Sequence, residues 1–160
     1  MNIVDLTAIR NADLFREPYD YLLGSSFLKS EALDELRRDF PRITKPGYLT
    51  VGEVELRGHF KRLIEELEGP EVTEELSRRF GRDLHPFPRL TTIMRNSQRK
   101  YGAIHTDGPS KIMTMLIYMN ENWGQAEGGR LPGGASVKRE SNRLFWLARG
   151  VTNIDKDLEA

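Results

Sequence analysis

Apolar residues recur at helical spacing through the first half of this chain and gather into short continuous runs in the second. Between Ser30 and Phe40, Leu33, Leu36 and Phe40 fall three and four apart, with acids leading and arginines trailing. That order predicts a helix capped by Ser30 and stopped by Pro41. Leu56, Phe60, Leu63, Ile64 and Leu67 form a second stripe, ended by Gly69-Pro70. A third, shorter helix follows, with Thr73 as cap, Glu74 and Glu75 at its positive end and Gly81 as its C-terminal stop after Arg78-Arg79-Phe80. Lys45-Pro46-Gly47 marks a turn, and Tyr48 to Val54 reads as either strand or loop.

The pattern changes at Pro86-Phe87-Pro88. Beyond it β-formers come in four runs: Leu90 to Met94, Tyr101 to Thr106, Ile112 to Met119 and Arg143 to Leu147. The run from Ile112 to Met119 has no polar alternation, which predicts a strand buried on both faces. Asn120 to Gly129 is its exposed connection. Helices followed by strands give an α+β fold, with N-terminal helices packed on a β-sandwich.

Composition narrows the chemistry. The chain has 160 residues, 38% of them hydrophobic and 30% charged, which suits one folded domain. Lys and Arg number 24 and Asp and Glu 24, so no net field draws the chain to nucleic acid or to a membrane surface. Arg95, Arg99 and Lys100 around Asn96-Ser97-Gln98 read as a solvated loop, and no nucleic-acid partner is expected. Cysteine is absent, which removes disulfides, iron–sulfur ligation and thiol nucleophiles and leaves His, Asp and Glu as the strong metal ligands. Met1 to Leu6 lacks the basic-then-apolar order of a leader, and no window approaches the roughly 18 apolar residues of a membrane span. A cytoplasmic location without membrane attachment is the expectation, and the outer helix faces leave an oligomer open.

The densest chemistry lies at Tyr101-Gly102-Ala103-Ile104-His105-Thr106-Asp107-Gly108. On an extended chain residues i and i+2 project from one face, so the His105 imidazole and the Asp107 carboxylate can reach one ion together. Taken alone, the pair also fits a surface turn through Asp107-Gly108-Pro109. Its context favours a site, since it closes one strand and precedes the most hydrophobic one, as at a barrel mouth. One His and one carboxylate, joined by a second His, make the facial triad of non-haem Fe(II) oxygenases.

From His105-Thr106-Asp107 and Lys111 through Leu116-Ile117-Tyr118-Met119-Asn120-Glu121-Asn122-Trp123 to Glu127-Gly128-Gly129-Arg130-Leu131, the chain resembles the core of the prolyl-hydroxylase-like Fe(II)/2-oxoglutarate-dependent oxygenases. The resemblance implies a double-stranded β-helix of the jelly-roll, cupin-like type in a single domain over residues 1–160. Residues 1–85 would be mainly helical support, 86–131 the β-core with the metal motif, and 132–160 a divergent tail. It implies His105 and Asp107 as ligands of Fe(II), Tyr118 as a contact of the co-substrate 2-oxoglutarate, and ascorbate as an optional reductant. Asn120 and Trp123 match a structural turn, and Gly128-Gly129 a tight approach to the next strand. The activity implied is a dioxygenase that couples decarboxylation of 2-oxoglutarate to succinate with hydroxylation of a C–H bond in a prolyl residue or a small molecule.

The tail departs from that pattern. The family places a third ligand, a histidine, tens of residues beyond Leu131, followed by an Arg or Lys that pairs with the distal carboxylate of 2-oxoglutarate. No histidine follows His105. His59 falls within a predicted amphipathic helix and His85 beside Pro86, where packing, exposure or local hydrogen bonding accounts for them. Asp155 or Asp157 can replace the missing ligand only if the tail folds back, with Arg143 or Arg149 as the anchor. Pro132 to Glu140 reads as a loop and Asn153 to Ala160 as a polar end, and about five strands are found where a jelly roll has eight. The expectation is a gene truncated or shifted in frame after Leu131. The alternative function is an inactive remnant or binding module with an incomplete iron site and exposed sheet edges.

Overall fold

The computed structural model describes residues 2–17, 19–95, 111–119 and 145–149. The chain opens with a short helix that the sequence pattern does not announce, α1 (Leu6–Asn11). Asp5 caps it, accepting from the Thr7 amide at 2.9 Å and from the Thr7 hydroxyl at 2.6 Å. These bonds, the hydroxyl's foremost, hold the Asp5 carboxyl below its ordinary range.

Two strands follow, β1 (Asp13–Phe15) and β2 (Tyr21–Gly24), paired as an antiparallel hairpin in which Phe15 stacks on Tyr21 at 4.7 Å. Within residues 1–85, expected to be mainly helical support, the hairpin adds two short strands to the helices. The hairpin belongs to a four-stranded antiparallel sheet with order β1-β2-β6-β5, where β5 is Met113–Ile117 and β6 is Phe145–Arg149. Strands of three and four residues carry too few positions for alternation to show in the sequence. β6 lies two residues further along than the predicted run. A second, two-stranded ladder pairs β3 (Leu49–Thr50) with β4 (Thr92–Ile93). Tyr48 to Val54 is therefore both strand and turn, since Thr50 and Glu53 form a capping box on the single 3₁₀ turn Val51–Glu53. The Lys45-Pro46-Gly47 turn is present, with Gly47 at φ 98°.

The predicted helices form with altered starts. A 3₁₀ turn, Ser30–Ala32, precedes α2 (Leu33–Arg38), and the Ser30 hydroxyl donates to Glu31 rather than capping the helix. α3 (Gly58–Leu67) buries Phe60, Leu63 and Ile64, as its stripe predicts, and Phe60 meets Phe40 edge to face at 5.0 Å. α4 (Pro70–Phe80) begins three residues before Thr73. Pro70 takes the first helical position, where a missing N–H costs nothing, and the Thr73 hydroxyl bonds back to the Gly69 carbonyl at 3.0 Å. Gly81 ends the helix at φ 63° in the left-handed region, as expected of a glycine stop.

The core is drawn from the helices, β2 and the segments between them. Ile3, Ile9, Leu22, Phe27, Leu36 and Leu63 are its most completely buried members. Ile112, Met113, Met115, Ile117 and Met119 of the β5 run pack against it. Within β5, Thr114 and Leu116 lie on the opposite face by strand alternation. Residues 112–119 are half-buried, where the sequence predicted burial on both faces. β5 is also the end strand of the described sheet, not an interior one. The fold is α+β, and among the described residues no helix is long and apolar enough to cross a membrane.

Candidate functional site

His105, Asp107, the residues from Asn120 to Leu131, Arg143, Asp155 and Asp157 lie outside the described residues. Of the predicted site, Tyr118 is described, half-buried just beyond the end of β5. Arg149 closes β6, its backbone in register with Met113.

The sheet places particular residues beside Tyr118. Through β6, Tyr21 stands in one row with Thr114, and Leu23 in one row with Leu116. Residues directly opposite in an antiparallel ladder share a face, so Tyr21, Leu23, Thr114 and Leu116 lie on the side turned away from Leu22 and Met115, and Tyr118 follows one residue after Ile117 ends the strand. Tyr19 adds a ring 5.7 Å from that of Tyr21. Its hydroxyl is pushed up from the usual phenol value, first by burial and then by Tyr21. This second face combines apolar side chains with hydroxyl groups, the usual lining of a site for a small polar ligand. The contribution of Tyr21 and Leu23 is not legible in the sequence, because roughly ninety residues separate them from β5.

The two described histidines each sit beside a nearby carboxylate. His85 Nδ1 lies 2.9 Å from Asp83 Oδ1, and its Nε2 lies 3.8 Å from Glu74 Oε2. The His85 amide, and after it the ring, hold the Asp83 carboxyl below its ordinary range. His59, the second residue of α3, donates its amide to Asp39 Oδ2 at 2.7 Å. With Glu35 these residues bring two oxygens and a ring nitrogen within 4.8 Å of one another, a set able to touch a divalent cation. Both carboxylates are already engaged, Asp39 with the start of α3 and Glu35 with Arg38 at 2.8 Å. Capping and ion pairing account for this cluster.

A third polar group joins α1 to α4. Glu75 is 6% exposed, accepts from Arg10 Nε at 3.0 Å and Nη2 at 2.7 Å, and is also paired with Arg78. The Arg10 hydrogen bond is the main reason its carboxyl lies below the ordinary range, against the upward push of burial. The unfolded chain therefore binds this proton more readily than the folded one. The stabilisation is complete above the unfolded glutamate value of about 4.3 and is lost as pH falls through the lower, folded value. Urea midpoints of the wild type and Glu75→Gln should differ clearly at pH 6 and converge as the pH is lowered below about 4. A gap that stays constant with pH would show that the carboxylate's charge is not what stabilises the fold.

No family model, no curated protein and no solved structure matches this chain.

Proposed function

We propose that this chain is an Fe(II)/2-oxoglutarate-dependent dioxygenase, its β-strands belonging to a double-stranded β-helix and its metal motif consisting of His105 and Asp107. The observation that carries the reading is the order His105-Thr106-Asp107, a turn, and then a strand that ends in Tyr118. Its support is that Thr114 and Leu116 of β5, the strand that leads to Tyr118, share with Tyr21 and Leu23 the face turned from Leu22 and Met115. In this reading His105 and Asp107 hold the metal, and the Tyr118 hydroxyl donates to 2-oxoglutarate. The apolar members of the same face exclude water from the co-substrate. When bound, the metal supplies oxygen activation linked to 2-oxoglutarate decarboxylation, and the protein supplies position and dryness. A C–H bond of a prolyl residue or a small molecule is the proposed target.

The absence of any histidine after His105 supports a second reading, a remnant or binding module with an incomplete iron site. One experiment separates the two. Calorimetric titration of Mn(II), a redox-inert substitute, is carried out with and without 2-oxoglutarate on the wild type and on Asp107→Ala. An oxygenase site gives one saturable Mn(II) that 2-oxoglutarate tightens and Asp107→Ala abolishes. Absence of Mn(II) binding that depends on Asp107 assigns the chain to the remnant reading.

A further inference from the structure

Arg10, Arg78 and Arg79 line a cavity of about 430 Å³ where the last turn of α1 meets the last turns of α4. Glu75 stands beneath it with both oxygens engaged, one by Arg10 and the other by Arg78. The carboxylate has two effects. It holds two guanidinium groups in place and offsets one of the three positive charges, and with Asp5 also acting on Arg10 the group keeps a net positive charge. Arg79 is anchored by its Nη2, which donates to the Ala12 carbonyl, and its buried Nε has no hydrogen-bond partner. Buried guanidinium donors are normally satisfied. An excess of positive charge and guanidinium groups held in place around one open cavity suit recognition of a dianionic oxyanion.

We propose that this cavity binds a compact tetrahedral oxyanion, the phosphoryl group of a small phosphorylated ligand. Three guanidinium groups about one cavity can each meet a different oxygen of a phosphoryl group, whereas one carboxylate offers only two oxygens. The inference stands apart from the oxygenase reading, since none of its residues is in the β5 face or the His105 motif.

The test is a calorimetric titration of metal-stripped protein with inorganic phosphate at constant ionic strength, with succinate as the carboxylate comparison. Saturable one-to-one binding of phosphate, at least tenfold tighter than that of succinate, is expected. Arg78→Gln leaves Glu75 paired to Arg10 and should weaken phosphate binding at least tenfold, while Arg37→Gln, on α2 and outside the cavity lining, should leave it within twofold. Asp107→Ala should bind phosphate like the wild type even if it loses the metal. Absence of saturation in the wild type, equal affinity for succinate, or equal losses in Arg78→Gln and Arg37→Gln would each overturn the proposal. If circular dichroism shows Arg78→Gln to be unfolded, the wild-type comparison of phosphate with succinate decides.

Discussion

Gly58→Ala is expected to destabilise the fold by about 3 kcal/mol, read as a lowered urea midpoint with an unchanged slope. Gly58 opens α3 at φ 49°, in the left-handed region, where an L side chain costs roughly 1–2 kcal/mol. A methyl group there would also overlap the carboxylate of Asp39, whose Oδ2 accepts the His59 amide. Asp39 has to move, and loss of such a cap costs about 1 kcal/mol more. Gly52 provides the control, since a methyl group added there meets nothing within 4 Å, and Gly52→Ala should stay within about 0.5 kcal/mol of the wild type. Equal effects at the two glycines would remove the claim that Asp39 and Gly58 form one fitted joint between α2 and α3.

Glu66→Ala is the second large loss, again about 3 kcal/mol. Glu66 Oε1 accepts the Ile3 amide at 3.0 Å, and Oε2 accepts the Ile3 and Val4 amides at 2.9 and 2.8 Å. Ile3 and Val4 are 1% and 4% exposed, so water cannot readily replace the carboxylate. Hydrogen bonds to a charged group contribute roughly 1.5–3 kcal/mol each, and leaving buried amides unsatisfied is the larger part of the cost. The other side of the segment is held by the Asp5 amide to the Phe27 carbonyl at 2.8 Å and the Lys29 amide to the Ile3 carbonyl at 2.9 Å. Glu66→Gln keeps an acceptor without the charge and should lose about half as much. Hydrogen exchange reads the effect locally, with Ile3 and Val4 losing protection in Glu66→Ala before the amides of α4 do. Unchanged protection at those two amides would place their partner elsewhere.

The parts of the fold legible in the sequence are those with long local signals. The α3 stripe extends over about three turns, Gly81 ends α4, and the run from Ile112 to Met119 contains β5. What stayed hidden depends on distant partners. β1 and β2 are too short to show a period and become strands because β6 pairs with β2. Thr73 looked like a cap because a hydroxyl before two acids usually is one, yet Pro70 offers an earlier start with φ already set. The candidate site divides in the same way. His105 and Asp107 are legible through their i, i+2 spacing together with the strand context that follows, and Tyr118 only through the family resemblance. The arginine cavity and the second face of the sheet draw on residues more than sixty positions apart, Arg10 with Glu75 and Tyr21 with Thr114, which no window along the chain brings together.

The strand order β1-β2-β6-β5 also governs the timetable of synthesis. β2 emerges from the ribosome within the first 24 residues, but its neighbour in the sheet, at Phe145–Arg149, is the last made of the described strands, and among these β5 reaches β2 only through that neighbour. Until β6 is translated, β2 and β5 each present an unpaired edge while the helices between them are already able to collapse. Joining the sheet then requires closing a loop of more than a hundred residues, which slows the final step and exposes two adhesive edges to neighbouring nascent chains. A stop anywhere before Phe145 would leave the N-terminal hairpin without the strand that pairs with β2 and with that edge open.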